Sequence, residues 1–415
     1  MNIVIICSDY PYVRGNAESN LLKLQLESIE EIFSNISLIP TVSSRGKSVV
    51  SGSKYKILTN FRDIIPIYFY NVFRFYSYSI KDLKSININY DFFISIRRSI
   101  IVYLKSVFLF TYLNDYLKQN KESINNTLIY SFWFDDYSFG IYLLKKSFPK
   151  IKVISGAHGY DLFAERHPGK RIPFRQISIK LLDKVLVCSI EGKKYLEKQF
   201  GNFQNKFYLL NTGISKKHFK VKSSDDGKFR ILTLSRTDPI KRLDYLLKIL
   251  KKIENISDFQ IEYYHIGGDH ITTNHELKNL KHLSKNLNFE KFKIFFLGKI
   301  SNEDLNSFFK NNSIDAFLNT SYSEGTSLSL IEAMSYSIPV IVTNVGGNIS
   351  IGNHCKSSLN IDFNEHQLYE YLKKIHFNNE YREQQKNYSF EYWEKNHNED
   401  NSKVQIKRCF KSFIN

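Results

Sequence analysis

Short apolar runs alternate with amphipathic stretches along the 415-residue chain. The first run, N-I-V-I-I-C at residues 2–7, is rich in β-branched residues, which is typical of a strand buried in a parallel sheet. A polar loop with Pro11, Gly15 and Asn16 follows, and the pattern then predicts a helix over about residues 18–33. Because this order of strand, loop and helix recurs, the chain is predicted to be an α/β protein with parallel sheets.

The remaining predicted elements form two groups. The first group comprises helical pieces within 92–117, a helix over 137–146, and strands at 128–132, 152–155, 184–189 and from 207. The second group comprises strands at 230–234, 261–266, 293–297, 315–319 and 339–342, and helices over 241–253, 277–287, 302–310 and 328–336. A chain of this length is too long for one ordinary core. We therefore predict two doubly wound domains, 1–212 and 213–390, and a C-terminal helix over 391–415 that could pack back on the first domain.

The charge balance indicates an anionic partner. With 58 basic and 41 acidic residues the formal charge is +17, and residues 1–212 hold 29 basic and 17 acidic residues, or +12 of that excess. Phosphates, nucleic acid and an acidic membrane surface are the partner classes that such a charge attracts. No RNA- or DNA-binding motif is recognisable, so we expect no nucleic-acid partner.

Basic and aromatic residues are interleaved between positions 45 and 125. The basic members are Lys47, Lys54, Lys56, Arg62, Arg74, Lys81, Lys84, Arg97, Arg98 and Lys105. One interpretation is a helical part of the first domain whose aromatic side chains are core. The other is a surface that lies on an anionic bilayer, where each basic side chain contributes about 1 kcal/mol. The two interpretations are compatible, and the sequence leaves both open.

Several classes of protein are disfavoured. The four cysteines are scattered without metal or redox spacing, which fits a structural role in a reducing compartment. The first apolar run lacks a basic preceding region, so no signal peptide is expected, and nowhere do 18 apolar residues run together as a transmembrane helix would require. Asp135 and Asp136 form a turn pair rather than a D-x-D motif, so we expect no metal and no cofactor.

Charged side chains in the second half follow the carboxyl ends of predicted strands. Arg236 and Lys241 flank the loop and helix after the 230–234 strand, whereas Glu324 and Glu332 come from the loop and helix after the 315–319 strand. Ligands of open α/β sheets bind at this edge, and a helix N-terminus there attracts anions. Two cations and a helix start can hold a diphosphate, and two carboxylates can bond ribose and sugar hydroxyls. This set predicts half of a nucleotide-sugar site.

A second loop of this kind lies in the first half. The residues G-A-H-G-Y-D-L-F at 156–163 follow the 152–155 strand and place His158 and Asp161 at its carboxyl end. The flanking Gly156 and Gly159 would let a ligand approach the backbone. A structural histidine and a ligand-facing one remain equally open for this loop.

Residues 321–347 have the pattern S-Y-S-E-G-x6-E-A-M-x4-P-V-I-V-T-x-V-G-G, with R-x4-K upstream at 236–241. Together with H-G-Y-D and the N-T-G-I at the domain boundary, this pattern closely resembles glycosyltransferase family 4. The resemblance covers most of the chain. It implies a retaining, hexosyltransferase-type enzyme of GT-B fold with an E-x7-E motif, in which two Rossmann-like domains face an interdomain cleft.

The resemblance also implies roles for individual residues. Arg236 and Lys241 would bind the donor diphosphate, Glu332 the ribose, and Glu324 the sugar hydroxyls. The remaining implied donor contacts are Gly15 and Asn16 at the diphosphate, Lys299 and Ile300 at the base, and the backbone around Gly325, Thr326, Ser327, Leu328 and Ser329 at the phosphate and sugar. His158 would face the sugar and the acceptor, with Asp161 on the acceptor side.

Within the family, the stretch H-G-Y-D-L-F-A-E-R-H-P, with Y-S-F-W-F-D-D upstream, looks most like bacterial enzymes that build surface polysaccharides (O-antigen, capsule or exopolysaccharide). These act on lipid-linked or oligosaccharide acceptors, which implies a cytoplasmic protein on the inner membrane face. The chain departs from the family pattern at Ser327 (usually proline), at Ser337 and Arg242 (usually glycine) and at Ser350 (usually glutamate), and its N-terminal loop has one glycine rather than two.

Three alternatives remain beside the transferase. A non-catalytic, sugar-nucleotide-binding partner subunit would share the fold, but the intact Arg236, Lys241, Glu324 and Glu332 argue against it. A sugar-nucleotide epimerase on the same fold would be separated by product analysis. A nucleic-acid binder rests on the charge alone.

Overall fold

The computed structural model describes residues 1–8, 10–12, 17–41, 55–58, 69–88, 91–269 and 275–414, with the side chains of 17–20, 69–70 and 121–123 outside the description. It divides into two compact units, Met1–Asn211 with Ser402–Asn415, and Thr212–Asn401. The first boundary lies one residue before the predicted one. The predicted fold class is confirmed, because each unit is built on a parallel sheet with helices on both faces.

The first unit holds a seven-stranded sheet in the order β3-β2-β1-β4-β5-β6-β7, with all pairs parallel. Its strands are β1 (Asn2–Cys7), β2 (Asn35–Pro40), β3 (Lys56–Ile57), β4 (Thr127–Ser131), β5 (Lys152–Ala157), β6 (Lys184–Val187) and β7 (Phe207–Leu209). All residues of β4 and all but the first of β1 and β5 are buried, as their apolar sequences require.

Helices cover both faces of this sheet. They are α1 (Ala17–Ile29), α2 (Tyr76–Leu83), α3 (Phe92–Gln119), α4 (Ser138–Ser147), α5 (Arg175–Leu181) and α6 (Ile190–Gln199). Short segments of 3-10 helix lie at Phe69–Phe75, Lys121–Asn126, Ala164–Arg166, Pro168–Lys170 and Gly201–Lys206. On one face α3, α4 and α5 enclose a core with Val107, Phe110 and Phe139. On the other, α1 packs with residues 406–413 around Tyr130 and Phe410.

The second unit holds a six-stranded parallel sheet in the order β10-β9-β8-β11-β12-β13. Its strands are β8 (Lys228–Leu234), β9 (Gln260–Ile266), β10 (Lys293–Gly298), β11 (Ala316–Asn319), β12 (Val340–Thr343) and β13 (Ser358–Leu359). Its helices are α7 (Leu243–Ile256), α8 (Glu276–Leu287), α9 (Asn302–Asn311), α10 (Leu328–Ser335), α11 (Asn348–Cys355), α12 (Glu365–Phe377) and α13 (Asn379–His397). A turn of 3-10 helix, Pro239–Lys241, precedes α7.

The predicted C-terminal helix over 391–415 is wrong in its bounds. The chain forms two helices, α13 (ending at His397) and α14 (Glu399–Lys411). Asn398 between them is extended and forms an isolated parallel bridge with Ile214. Glu399 and Asp400 then begin α14, where carboxylates favour a new helix N-terminus. From Ser402 onward the chain belongs to the first unit.

Candidate active site

The carboxyl ends of β8, β9, β10, β11 and β12 meet at one edge of the second sheet, because all five strands run parallel. The predicted donor residues of this unit lie on the loops and helix starts that follow these strands. Thr320 Oγ1 donates to the carbonyl of Lys241 at 3.1 Å, and the N–H of Tyr322 donates to the carbonyl of Ile240 at 2.7 Å. These two hydrogen bonds join the loop after β11 to the segment that enters α7.

Lys241 and Glu324 form the central ion pair of this edge. The Lys241 Nζ lies 2.6 Å from Glu324 Oε1, and the two side chains are 19% and 7% exposed. The same carboxylate oxygen accepts a hydrogen bond from Ser321 Oγ at 2.6 Å. The structure therefore brings together the cation predicted for the diphosphate and the carboxylate predicted for the sugar.

Asn319, the last residue of β11, holds this arrangement in place. Its Nδ2 donates to Glu324 Oε1 at 3.3 Å and to Ser327 Oγ at 3.0 Å. Its Oδ1 accepts from the N–H of Ser321 and from Asn348 Nδ2, both at 3.2 Å. One buried amide thus links the carboxylate, the residue before α10 and the start of α11. The sequence analysis gave Asn319 no role beyond ending a strand. The signal that could have identified it is a polar amide at the carboxyl end of a buried strand.

Gly346 is required by the backbone around Glu324. Its φ is +44°, a region that L-residues rarely adopt. A Cβ placed on it would lie 1.9 Å from the carbonyl oxygen of Glu324, and the N–H of Gly347 donates to that same oxygen at 3.0 Å. The glycine pair of the sequence pattern therefore shapes the loop that carries the carboxylate.

The helix start beside this pair presents main-chain donors. Ser327 precedes α10 and makes no capping hydrogen bond to its first turn; its hydroxyl instead lies 3.4 Å from that of Ser329. The first N–H groups of a helix have no acceptor within the helix, and the helix dipole favours negative charge there. Gly325, Thr326 and Leu328 belong to the same turn, so the whole predicted stretch lies next to Glu324.

Arg236 and Glu332 are not part of the central pair. The Arg236 guanidinium is 56% exposed and pairs with Asp238 at 2.8 Å. The Glu332 carboxylate pairs with Lys217 at 3.1 Å, and that ammonium also lies 5.0 Å from the centroid of the Tyr336 ring. The sequence reasoning missed Lys217; the only signal was a basic pair just after the N-T-G-I segment.

Lys299 and Ile300 follow β10 and lie at the same sheet edge. A Cβ on Gly268 would lie 3.7 Å from the Cβ of Lys299, and the N–H of Gly267 donates to the carbonyl of Gly298 at 2.8 Å. Lys299 is exposed, whereas Ile300 is half-buried against the second unit's core. The structure thus places the two residues predicted for the base beside the glycine turn that follows β9.

In the first unit, the loop after β5 is a packed structure. The His158 ring stacks on Phe132 with 4.5 Å between centroids and meets Trp133 edge-on at 4.9 Å. Asp161 is fully buried, and its carboxylate accepts the N–H groups of His158 and Phe134, both at 2.8 Å. These contacts make Asp161 an anchor for the loop, and its place on the acceptor side stays a prediction.

Two further charged groups surround this loop: Arg175, which the sequence analysis did not single out, and Asp135, which it treated only as part of a turn pair. Arg175 is buried and donates to the carbonyls of Asp161, Leu162 and Phe134, while burial lowers its pKa to about 10. Burial, with the charges of Asp136 and Asp161, raises the pKa of Asp135 to about 8. Burial alone would also raise the pKa of Asp161, but the His158 ring and the two N–H donors outweigh it and hold that pKa below its ordinary value.

Some predictions lie outside these observations. Gly15, Asn16, Lys47, Lys54 and Arg62 fall outside the described residues. Among the residues that the structure does describe, no cluster of three or more His, Cys, Asp or Glu side chains could hold a metal ion, and no helix has the length and apolarity to cross a membrane. All four cysteines are buried and unbridged.

Two departures from the family pattern sit at left-handed backbone positions. Arg242 has φ +55° and Ser337 has φ +61°, so glycine would adopt both conformations without the Cβ penalty. Arg242 stacks on Tyr245 at 4.2 Å and reaches the carbonyl of Ile361. Ser337 is buried, and its hydroxyl lacks a hydrogen-bond partner among the described residues. Only the arginine gains contacts in exchange for the strained backbone.

Part of the chain matches a known protein family. Residues 214–392 match the family model of "Glycosyl transferases group 1". An "Uncharacterized 41.2 kDa protein in cps region" of Klebsiella pneumoniae is 25% identical over 260 residues, which is 59% of this chain and 67% of that protein.

Solved structures share the fold over nearly the whole chain. The lipopolysaccharide outer core galactosyltransferase WaaB in its apo form is 14% identical at a TM-score of 0.65, covering 98% of this chain and 100% of its own. Anabaena Alr3699/HepE in complex with UDP is 12% identical at a TM-score of 0.64, covering 99% and 100%. Residues 214–392 therefore resemble a glycosyl transferases group 1 domain, and the chain has the GT-B fold of the glycosyltransferases to which it is similar.

Proposed function

We propose that this protein is a retaining, family 4 glycosyltransferase that moves a sugar from a nucleoside diphosphate-sugar to an acceptor hydroxyl. The observation that carries the proposal is the convergence of Lys241, Glu324 and the start of α10 at one sheet edge, within the segment that matches the family model. A nucleotide-sugar donor is also supported by the related fold of HepE, which was solved with UDP.

The chemistry of each group fits a departing diphosphate. The Lys241 ammonium and the N–H groups at the start of α10 would stabilise the negative charge that develops on the leaving phosphate, where one well-placed donor contributes roughly 3–4 kcal/mol. Arg236 is exposed and would join them by leaving Asp238 for the phosphate. Glu324 would bond sugar hydroxyls and orient the anomeric carbon, and Glu332 would bond the ribose.

Retention is proposed to follow front-face attack. In this mechanism the bond between the anomeric carbon and the diphosphate oxygen breaks as the acceptor oxygen approaches from the same face. The acceptor proton passes to the leaving phosphate, so no protein nucleophile is needed. His158, whose ring is 14% exposed in the loop after β5, is proposed to face the sugar and acceptor. No metal or cofactor enters the proposal.

A two-stage experiment tests the proposal. Thermal-shift measurements with a panel of nucleoside diphosphates and nucleotide sugars should show stabilisation by one base family. Product analysis by NMR with the donor so identified should then show the anomeric configuration of the donor kept in the product. Inversion, epimerised donor without transfer, or binding without turnover on any acceptor fraction would contradict the proposal and favour the alternative functions.

We further propose that the acceptor is a lipid-linked saccharide of bacterial surface polysaccharide, used at the inner face of the cytoplasmic membrane. The cps-region location of the Klebsiella relative supports the pathway. The surface between residues 73 and 101, which we call the 73–101 surface, supports the membrane. Its exposed apolar members are Phe73, Tyr76, Ile80, Ile88, Phe93, Ile94, Ile100 and Ile101.

These eight are half of the sixteen large exposed apolar side chains in the described part of the chain, although the segment spans only 29 residues. Exposed basic residues lie among them, including Arg74 just before α2, Lys84 just after it and Arg97 on α3. Apolar side chains at headgroup depth, flanked by lysine and arginine, are the chemistry of a helix lying on an anionic bilayer.

Vesicle flotation tests this surface. The protein should float with vesicles that contain about 30% phosphatidylglycerol, and a smaller fraction of it should float with vesicles of phosphatidylcholine alone. Added salt should reduce the bound fraction. Phe93→Ser/Ile94→Ser should reduce the bound fraction, whereas Ile256→Ser, which alters an exposed apolar residue on α7, should not. Equal binding by both variants would remove the 73–101 surface from the proposal without touching the donor chemistry.

A further inference from the structure

A cavity of about 450 Å³ lies wholly within the first unit, apart from every residue assigned to the donor. Its walls come from α2, from residues 164–177 around α5, and from the end of α6. This volume is in the range of small-molecule sites. The proposed function uses none of its lining side chains as a catalytic or donor-binding group.

The charge of this cavity is positive. Its lining includes four basic side chains, Lys81, Lys170, Arg171 and Arg175, and one carboxylate, Asp82. Arg175 is committed to backbone carbonyls, and Arg171 Nη2 donates to Asp82 Oδ1 at 2.6 Å. Lys81 and Lys170 are exposed, and among the described residues their ammonium groups make no hydrogen bond or ion pair. Two lysines therefore remain available to an anion.

The backbone of the loop that carries Lys170 is held in an unfavourable conformation. Gly169, Lys170 and Phe174 all have positive φ, of 63°, 52° and 56°. A left-handed conformation costs roughly 1–2 kcal/mol for a residue with a Cβ, and such strain gathers at ligand sites. The contacts that impose it are specific: the N–H of Phe174 donates to Asp82 Oδ1 at 2.9 Å, and the N–H of Gly169 donates to Asp91 Oδ2 at 3.2 Å.

Asp82 is a second polar group of the cavity wall, and it can accept a further hydrogen bond. Its side chain is 9% exposed, its Oδ1 accepts from both Arg171 and Phe174, and its Oδ2 is buried without a partner among the described residues. A buried carboxylate oxygen without a donor is unfavourable, and because Asp82 lines the cavity, a rotation of its carboxylate would let a ligand hydroxyl donate to it. Tyr78 and Phe200 give the cavity apolar walls, and Gln176 and Gln199 give it neutral amides.

We propose that this cavity binds a phosphorylated saccharide. Lys81 and Lys170 would hold the phosphate, Asp82 and the two glutamines would bond sugar hydroxyls, and Tyr78 and Phe200 would pack on the ring. The ligand is defined by this combination of phosphate and sugar. It can come from a free sugar phosphate or from the headgroup of a phosphate-linked lipid saccharide, and the binding does not depend on the transfer reaction.

Isothermal titration calorimetry of the full chain with glucose 1-phosphate tests the proposal by measuring the dissociation constant. Glucose 1-phosphate should bind, and Lys81→Ala/Lys170→Ala should weaken that binding at least tenfold. The matched control Lys180→Ala/Lys194→Ala removes the same charge from exposed positions outside the cavity and should bind like the unaltered protein. Lys241→Ala, which alters the donor site, should also leave this affinity unchanged while abolishing nucleotide-sugar binding. The failure of one site is thereby distinguished from that of the other.

Further arms identify the ligand and guard against misfolding. Inorganic phosphate and glucose should each bind at least tenfold more weakly than the sugar phosphate. Gln176→Ala, a milder change in the same wall, should also weaken binding, and all variants should keep the circular dichroism spectrum. Tighter binding to polyprenyl-phosphoglucose in phosphatidylcholine vesicles would assign a lipid source, and equal binding a free one. No binding, binding as tight to phosphate alone, or loss in Lys241→Ala but not in Lys81→Ala/Lys170→Ala would overturn the proposal.

Discussion

The sharpest test of the candidate site concerns the Lys241–Glu324 pair. It separates what the pair contributes to folding from what it contributes to turnover. The 2.6 Å contact is shielded from water on the carboxylate side, where Glu324 is 7% exposed. We consider Lys241→Met, Glu324→Gln and the double variant, because each keeps the approximate volume of the side chain it replaces.

The structure sets the expected changes in the free energy of unfolding. In Lys241→Met the Glu324 carboxylate keeps its hydrogen bonds from Ser321 and Asn319, so the loss should be about 1–3 kcal/mol. A buried charge left without any partner would cost 3–5 kcal/mol, roughly. In Glu324→Gln the ammonium is 19% exposed and partly hydrated, so about 1 kcal/mol is expected. The double variant should recover much of the loss, because no unpaired charge remains.

Turnover should respond differently. If both groups stabilise the transition state, each single variant should lose at least tenfold in kcat/KM, and on the order of a thousandfold where a full oxyanion-type contact is removed. The double variant should regain stability in urea unfolding but not activity. Near-normal turnover in either single variant would refute the assignment, as would recovery of activity in the double variant. Lys251→Met, which breaks the α7 pair with Glu254, serves as a control for general loss of an ion pair.

Three further predictions concern stability and pH. Ser337→Gly should raise the free energy of unfolding in urea by about 1 kcal/mol more than Ser337→Ala does, since both remove the buried hydroxyl that lacks a partner but only glycine relieves the left-handed backbone. Asn319→Ala should cost about 2–4 kcal/mol and lower kcat more than Asn348→Ala, which removes only one of its four hydrogen bonds; equal effects would contradict its positioning role. Burial lowers the pKa of His265 and His397 to about 4, so the folded protein binds fewer protons than the unfolded chain below pH 6.5. The stability that these two rings contribute should therefore be full above pH 6.5 and fall towards pH 4 by about 3 kcal/mol for each ring, whereas the raised pKa of Asp135 acts in the opposite direction. Urea midpoints independent of pH would contradict this.

The regular elements of the second domain were predictable because their hydrophobic and polar residues follow the period of a strand or a helix over the whole element. The strand at Lys228–Leu234 and the helix at Leu243–Ile256 have unambiguous hydrophobic periods, and a capping box of Ser301 and Asp304 marks the start of α9. The β2 strand, N-I-S-L-I-P at Asn35–Pro40, was missed because its proline and serine resemble a loop, although a strand next to β1 buries both. Short elements such as Ser358–Leu359 form only because a neighbouring strand is already there.

The site was predictable in part for a similar reason. Sequence places Lys241 and Glu324 at strand ends, but their contact joins residues 83 positions apart and depends on loop conformation. Nothing in the sequence shows that the Asn319 amide forms hydrogen bonds with four partners. Nor does it show that Glu332 meets Lys217, because the partner lies on an irregular segment without a motif. The buried Arg175 belongs to no motif that would distinguish it from the other basic residues of the first domain.

The return of residues 402–414 to the first domain has a consequence for how the protein is made. Phe410 packs edge-on against Phe33 and Tyr130, with centroids 6.1 and 5.7 Å apart, and Lys407 pairs with Glu31 at 2.9 Å. The ribosome must therefore deliver the whole second domain before the first can close its core, although domains that emerge first usually fold first. Until residues 402–414 have been synthesised, the apolar face of the first domain that they cover stays exposed. The first domain therefore completes its folding only after the second domain has been made.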